Sequence, residues 1–260
     1  ASLQHVYFSQ GGSDAVDSAL RYISYYFNAI GKPTKKHIIA LQRGYHGSSA
    51  VGAGVTGIPS FHANFDVPLA HQHHISCPYL YRSTFNSADE LIAASVAELE
   101  QKVQDIGADN VAAFFCEPVV GSGGVIVPPK GWLKAIADTC KRLGILLLVD
   151  EVITAFGRTG TLFACEHEGV EPDLMTIAKG LTSGYAPMGA LLMSDEIFNG
   201  IADGPHRSAV VGHGQTYSAH PVSAAVALEV ISLYEEGLLA NAQALAPYFA
   251  AKLTECLAHP

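Results

Sequence analysis

Lys179 is the residue in this sequence whose setting first suggests chemistry. It follows an apolar run and precedes a glycine in "TIAKGLTSG", residues 176–184. A lysine amine placed in this way can bond covalently to a carbonyl compound. Most lysines, however, are solvated surface charges. The segment by itself leaves both interpretations open, so the rest of the chain has to decide between them.

Asp150 ends the very apolar stretch "LLLVDEV", residues 146–152. A carboxylate at the end of a buried strand is costly unless a cation or a hydrogen-bond donor pairs with it. The protonated ring nitrogen of a bound ligand would be such a partner. A structural ion pair with an arginine such as Arg158 would serve equally well, and the sequence leaves this alternative open.

A glycine-rich turn, "GGSDAV" at residues 11–16, leads into a helix. Backbone amides of Gly12 and Ser13 at a positive helix end could hold a phosphate. The turn is neither the dinucleotide fingerprint nor the nucleotide triphosphate loop. The alternative is that Ser13 or Asp14 simply caps the helix.

A second loop, "RGYHGSS" at residues 43–49, places Tyr45 and His46 between glycines. An aromatic ring on such a loop can stack on a flat ligand. It can also be a partly buried turn residue. The histidines of "HQHH", residues 71–74, have no further ligand at helical or hairpin spacing, so we expect no metal site.

Composition narrows the classes of function. The chain has 260 residues, 49% of them hydrophobic, and a formal net charge of −9. No cluster of basic residues suggests nucleic acid as a partner, and no apolar run approaches the ~20 residues of a membrane span. The five scattered cysteines show neither a metal pattern nor a disulfide framework, which predicts a cytoplasmic protein.

The periodicity alternates between strands and helices. Val16, Ala19, Leu20, Ile23 and Phe27 share one face of a predicted helix. Strands are predicted at 6–9, 37–41, 111–117 and 145–151, and in "DLMTIAK" and "GALLMS"; further helices are predicted at 89–106, 130–143 and 220–236, with another helix starting in the final segment.

Apolar strands separated by helices predict an α/β fold with a mostly parallel central sheet flanked by helices. Such folds bind ligands beyond the carboxyl ends of their strands. Ser13, Tyr45, Glu117, Asp150 and Lys179 all follow predicted strands. We therefore expect these residues to meet in one composite site.

Together these segments closely resemble the class III, pyridoxal-phosphate-dependent aminotransferases of fold type I. The matching segments run in family order: "FSQGGSDAVDSALR", "RGYHGSS", "EPVVGSGGVIVPPKGW", "LVDEVITAFGRTG", "TIAKGLTSGYAPMGALL" and "HGQTYSAHPVSAAVALEVI". Ser122 stands where the ornithine and GABA branch carries a glutamate. The resemblance is therefore strongest to the ω-transaminases of the amine or β-alanine:pyruvate branch.

The resemblance implies a role for each candidate residue. Lys179 would hold pyridoxal 5′-phosphate as a Schiff base and move the substrate proton, and Asp150 would pair with the pyridine nitrogen. The remaining cofactor-binding residues would be Gly12 and Ser13 at the phosphate, Tyr45 and Val152 on the two ring faces, His46, Glu117 near Asp150, and Thr216, which would reach the phosphate of the neighbouring subunit.

The implied activity is transfer of an amino group from an amine or ω-amino acid to a keto acid such as pyruvate. The implied assembly is a homodimer with its active site at the subunit interface. Two alternatives remain: an aminomutase or epimerase of the same fold, and a non-catalytic domain that binds the cofactor.

The resemblance also predicts the domain organisation. Residues 1–240 would form the cofactor-binding large domain, and residues 241–260 would begin a small domain that is mostly missing. Family members carry a further segment before "VYFSQGG" and more chain after "LTECLAHP". We therefore expect the sequence to lack parts of the family's chain at both ends, including the arginine that binds a substrate carboxylate.

Overall fold

A seven-stranded sheet forms the centre of the protein. The structure is a computed structural model that describes residues 3–258. The strands are β1 (Leu3–Ser9), β2 (His37–Leu41), β3 (Gln72–Ile75), β4 (Val111–Cys116), β5 (Leu146–Asp150), β6 (Leu174–Ile177) and β7 (Gly189–Ser194). The helices are α1 (Gly12–Ala29), α2 (Gly52–Val55), α3 (Ala88–Ile106), α4 (Trp132–Leu143), α5 (Asp195–Asp203), α6 (Pro221–Leu233) and α7 (Leu239–Leu257).

The sheet order is β1-β7-β6-β5-β4-β2-β3. Strands β3, β2, β4, β5 and β6 pair in parallel, whereas β7 is antiparallel to both of its neighbours. The predicted mostly parallel α/β sheet is therefore confirmed. The carboxyl ends of every strand except β7 meet at the same edge of the sheet.

Alternation along the strands builds two apolar layers, because successive side chains point to opposite faces. Phe114 packs on one face with Leu99 of α3 and Ile136 of α4. Phe115 packs on the other face with Ile23 of α1 and Ile197 of α5. Burial on both faces explains why these strands are continuous apolar runs in the sequence.

The predicted helical stripe of α1 is confirmed, since all of its apolar positions are buried. Several predicted boundaries shift by a residue or two. Strand β3 and helix α5 were not predicted. The histidines of "HQHH" belong to β3 and its approach: His73 Nε2 lies 2.8 Å from His37 Nδ1, and His74 Nε2 lies 3.0 Å from the Val55 carbonyl.

The helix predicted over 220–236 is shorter than expected. Helix α6 ends at Leu233, and a π-helical turn over Tyr234–Leu238 follows, in which Gly237 adopts a φ of 128°. Helix α7 then begins at Leu239 and has no buried residue. The predicted division at residue 240 stays a prediction, and residues 1, 2, 259 and 260 lie outside the described chain.

The helices of residues 3–258 include none that is both long and apolar enough to cross a membrane. All five cysteines, which lie within that range, are unpaired.

Candidate active site

One cavity of about 230 Å³ lies at the carboxyl edge of the sheet. The predicted site residues that line it are Gly12, Ser13, Tyr45, His46, Glu117, Asp150, Val152 and Lys179. Gly47 and Ile153, which the sequence did not single out, complete the lining. Thr216 is not brought to this cavity; it is exposed in the segment before α6. The structure therefore brings together all the predicted residues except Thr216.

Asp150 is paired with a histidine, not with Arg158 as one alternative predicted. Its Oδ2 atom lies 2.9 Å from Nδ1 of His46, and both side chains are buried. Its Oδ1 atom accepts a hydrogen bond from the Val152 amide at 3.1 Å. A carboxylate has about four lone-pair sites, so Asp150 can still accept a hydrogen bond from a ligand in the cavity.

The pKa of His46 reflects this pairing. Burial alone acts to lower the pKa of the imidazole. The hydrogen bond and negative charge of Asp150, helped by the charge of Glu117, outweigh burial and raise the pKa of His46 above its ordinary value. The same hydrogen bond holds the Asp150 carboxyl group in place.

Glu117 links two turns at the cavity wall. Its Oε1 atom accepts a hydrogen bond from the Tyr45 amide at 2.9 Å, and its Oε2 atom accepts one from the Gly121 amide at 3.0 Å. Burial raises the pKa of Glu117 and the Asp150 charge adds to this rise, while His46 opposes it. Glu117 therefore organises the loop that carries Tyr45 and His46.

The amino end of α1 is free of a side-chain cap. Its N-cap residue is Gly11, and no side chain accepts a hydrogen bond from the first turn. The alternative that Ser13 or Asp14 caps the helix is therefore wrong. An uncapped helix end leaves backbone donors and a positive dipole end for an anion.

The turn at α1 packs closely against the loop of Tyr45. A Cβ at Gly47, whose φ is +113°, would lie 2.7 Å from Ser13 Oγ, and Ser13 Oγ accepts a hydrogen bond from the Ser48 amide at 3.3 Å. A side chain at position 47 would both strain the backbone and displace Ser13. Gly47 thus allows the turn at Gly12 and Ser13 to pack closely against the loop that carries Tyr45.

Tyr45 and Val152 supply the apolar part of the cavity lining. The Tyr45 ring meets Phe61 edge-on with centroids 5.2 Å apart, and its hydroxyl lies 3.3 Å from Ser48 Oγ. Val152 packs against the turn at Gly12 and Ser13, since its Cγ1 atom would lie 3.1 Å from a Cβ at Gly12. An aromatic ring and a branched apolar side chain suit a flat ligand.

Lys179 begins a short 3₁₀ turn (Lys179–Thr182) one residue after the end of β6. Its φ of 41° lies in the left-handed region, a conformation that costs a non-glycine residue about 1–3 kcal/mol and is concentrated at functional sites. Its side chain is exposed, and within residues 3–258 its amine has no hydrogen bond or ion pair. The strained backbone holds an unpartnered amine at the cavity.

Lys179 also borders a second cavity of about 680 Å³. Phe156, Arg158 and Tyr234 are among its lining residues. Tyr234 donates a hydrogen bond to the Gly180 carbonyl at 3.1 Å, and its ring stacks on Phe156 at 5.8 Å. The sequence did not single out Tyr234, because its helical setting resembles that of any partly buried aromatic residue.

The family model for class-III aminotransferases matches residues 1–260. The chain belongs to the class-III aminotransferase family.

Individual relatives agree with this assignment. The chain is 42% identical to an uncharacterized aminotransferase, y4uB, of Sinorhizobium fredii, over 97% of this chain and 55% of that protein. It is also 42% identical to a probable gamma-aminobutyrate transaminase 3, mitochondrial, of Oryza sativa, over 94% of this chain and 48% of that protein. The chain thus spans about half the length of the curated relatives it matches.

A solved structure shows the same fold. The ω-transaminase from Pseudomonas jessenii in complex with PMP superposes with a TM-score of 0.95 at 39% identity, covering 99% of this chain and 58% of that one. This class-III aminotransferase chain therefore has the fold type I architecture that its motifs predicted.

The cavity of this class-III aminotransferase chain fits pyridoxal phosphate in the chemistry of its donors. An aldehyde needs an amine, and Lys179 supplies one. A pyridine nitrogen needs an anion, and Asp150 supplies one held by His46. A phosphate needs hydrogen-bond donors and positive potential, which the uncapped amino end of α1 offers at Gly12 and Ser13. The flat ring needs the apolar and aromatic lining that Val152 and Tyr45 provide.

Proposed function

We propose that this chain forms the cofactor-binding part of an aminotransferase that uses pyridoxal 5′-phosphate. It transfers an amino group from an amine or ω-amino acid donor to a keto acid such as pyruvate. The observation that carries this proposal is the unpartnered, backbone-strained Lys179 beside the buried Asp150–His46 pair in one cavity. Family membership and the transaminase names of its relatives support the same activity.

Each side chain has a definite task in this proposal. The cofactor, when bound, supplies an electron-accepting ring. The Asp150 carboxylate would favour the protonated ring nitrogen, and His46 would orient Asp150 through their hydrogen bond. Nζ of Lys179 would anchor the cofactor, and as a free amine it would carry the proton from the substrate carbon to the cofactor carbon, as amino transfer requires. Gly12 and Ser13 bind the phosphate, and Tyr45 and Val152 hold the ring between them.

The anchoring role of Lys179 can be tested by trapping. The protein is incubated with pyridoxal phosphate, reduced with borohydride, digested and analysed by mass spectrometry. We expect a single stable adduct on the peptide that contains Lys179, and its loss in Lys179→Ala. An exposed lysine, Lys130→Ala, is the matched control and should keep the adduct. An adduct on another lysine, or none in the wild type, would contradict the proposal.

An assay can distinguish amino transfer from the reaction catalysed by an aminomutase or epimerase. The protein is supplied with an amine donor and pyruvate, and alanine is measured. Alanine formation supports transfer. A rearranged or racemised donor without alanine would replace this proposal with the alternative reaction, and cofactor binding without any conversion of the donor would favour a non-catalytic domain.

The assembly we propose is a homodimer whose active site lies at the subunit interface, in which Thr216 reaches the phosphate of the neighbouring subunit. Thr216 is exposed and lies outside its own chain's cavity, which supports this arrangement. Exposed apolar side chains on α6 and α7, such as Leu228 and Phe249, supply surface for contact. Sedimentation analysis showing only a monomer would contradict it.

We also propose a cytoplasmic location, because all five cysteines are unpaired. Microscopy of a fluorescently tagged copy in its own cell tests this, and accumulation in an organelle would contradict it.

A further inference from the structure

The segment that carries Thr216 lies against α1. Residues 204–216, here called the docked loop, connect α5 to the turn before α6 without regular structure. The Ser208 amide donates to the Tyr25 hydroxyl at 2.9 Å. Arg21 donates to the Gly212 carbonyl at 3.0 Å and to Nδ1 of His213 at 2.8 Å. The loop is therefore attached to one face of α1 by side chains of that helix.

His213 makes the contact nearest to Thr216, and its partners determine its protonation state. Ser18 Oγ donates its hydrogen to the Asp14 carbonyl at 2.7 Å, so at 2.9 Å it must accept a hydrogen bond from Nε2–H of His213. The Arg21 guanidinium can only donate, so Nδ1 must be the acceptor. Both contacts form together only when the imidazole is neutral, with its proton on Nε2.

The surroundings of the ring favour the same state. The ring stacks on Tyr7 of β1 at 4.9 Å and meets Tyr22 of α1 edge-on at 5.5 Å. Burial lowers the pKa of His213 and the Arg21 charge lowers it further, while Asp17 on α1 acts in the opposite direction. Protonation at Nδ1 would remove the acceptor and place two cations face to face.

We propose that His213 is a positioning residue: its neutral imidazole fastens the docked loop to α1, and protonation releases the loop. The fastening by His213 rests only on its hydrogen bonds to Arg21 and Ser18. Its consequence rests on the proposed function, because Thr216 lies three residues further along and would reach the neighbouring subunit's cofactor phosphate only while the loop is fastened. Protonation of His213 at acidic pH should therefore weaken retention of the cofactor.

The protonation state of His213 is tested in the unaltered protein by ¹⁵N NMR of its imidazole. We expect the Nε2–H tautomer at neutral pH and a pKa below about 6.5, the ordinary value for histidine. An Nδ1–H tautomer, or a pKa at or above the ordinary value, would overturn the proposal. This measurement needs neither a variant nor the cofactor.

The fastening itself is tested by hydrogen exchange of the docked loop, corrected for intrinsic rates, in the wild type and three variants. At pH 7.5 we expect His213→Ala to exchange about tenfold faster than the wild type, since it loses a hydrogen bond to a charged partner. His213→Asn keeps an acceptor for Arg21 and does not titrate, so its protection should fall in between and should not change at pH 5.5. Wild-type protection should fall at pH 5.5.

The matched control is His206→Gln, which lies in the same loop but has no side-chain hydrogen bond within residues 3–258. It should follow the wild type at both pH values. Equal protection in His213→Ala and the wild type, with circular dichroism showing both folded, would overturn the fastening.

The consequence for Thr216 is tested separately by cofactor retention in the purified protein. His213→Ala should lose pyridoxal phosphate on dialysis about tenfold more readily than the wild type, as should the wild type at pH 5.5 relative to pH 7.5. Lost protection of the loop with unchanged retention would overturn the positioning role. Wild-type protein that never binds the cofactor would instead show that the proposed function has failed.

Discussion

Lys35 and Lys179 lie at opposite edges of the same sheet and differ in burial and in the hydrogen bonding of their amines. Lys35 precedes β2 at the amino edge and is buried. Its Nζ atom donates to the carbonyls of Ala108, Val111 and Gly144 at 3.1, 2.8 and 3.0 Å. Lys179 follows β6 at the carboxyl edge, where its amine is exposed and has no partner within residues 3–258.

The difference separates a structural lysine from a reactive one. All three donors of the Lys35 ammonium are satisfied, so it joins the starts of β4 and β5 and has no capacity for a ligand. Burial lowers the pKa of Lys35 and Lys32 lowers it further, but the three carbonyls stabilise the charged form. Lys179 combines a strained backbone with an amine that has no hydrogen bond or ion pair among the described residues.

The largest expected difference between the two lysines is in catalytic activity. We expect Lys179→Ala to lower the rate of amino transfer by at least about 100-fold, because the proton-transfer group is lost. The free energy of unfolding should change by less than about 1 kcal/mol, since an exposed side chain without partners is removed. Steady-state assays and urea denaturation measure the two effects. Full activity in the variant would show that Lys179 is not the reactive lysine.

The second effect is on stability. Lys35→Met keeps the apolar stem but leaves three carbonyls at the amino edge without their donor. We expect the free energy of unfolding to fall by about 2–4 kcal/mol, while the trapped cofactor adduct stays on Lys179. Urea denaturation measures the loss, and an unchanged midpoint would show that Lys35 is not structural.

A smaller effect concerns the ion pair of His46 and Asp150 at the carboxyl edge of the sheet. The folded-state pKa of His46 is raised, so the folded protein binds this proton more tightly than the unfolded chain does. The stabilisation is complete below about pH 6.5 and is lost as pH rises through the raised pKa. We expect the difference in unfolding free energy between cofactor-free wild type and His46→Asn, which cannot titrate, to shrink from pH 6 to pH 9. A constant difference would contradict the ion pair.

The smallest effect is at the sheet edge formed by β2 and β3. Burial lowers the pKa of His37 and His73, and each is lowered further by neighbouring histidines. The unfolded chain therefore binds more protons, and stability falls as pH drops below about 6.5. His73→Gln should reduce this acid-induced loss in thermal denaturation, whereas His206→Gln should not.

Strands could be predicted from the sequence where burial on both faces produces a continuous run of apolar residues. Strand β4 is apolar at every position because both of its faces are covered, and Glu117 follows it at the edge where ligands bind. Strand β3 was missed because its polar "QHHI" segment is the last strand of the sheet, where one side makes no backbone pairs within the described part of the chain.

Side-chain partners across long separations could not be predicted. His46 and Asp150 are 104 positions apart, and His213 and Ser18 are 195 apart. No local pattern marks such pairs, because they exist only once the sheet order has brought their strands and helices together. The same reason explains why the Arg158 alternative for Asp150 was plausible in the sequence and wrong in the structure.

The pairing of β1 has a consequence for how the protein is made. The only sheet partner of β1 within the described chain is β7, so Leu3 lies opposite Ser194. During synthesis, β1 emerges well before β7, because the paired residues Ser9 and Gly189 are 180 positions apart in the sequence. Contacts of such high sequence separation fold slowly. The nascent chain therefore carries the unpaired edge of β1 until β7 has emerged, and a chaperone that shields this edge would raise the yield of folded protein.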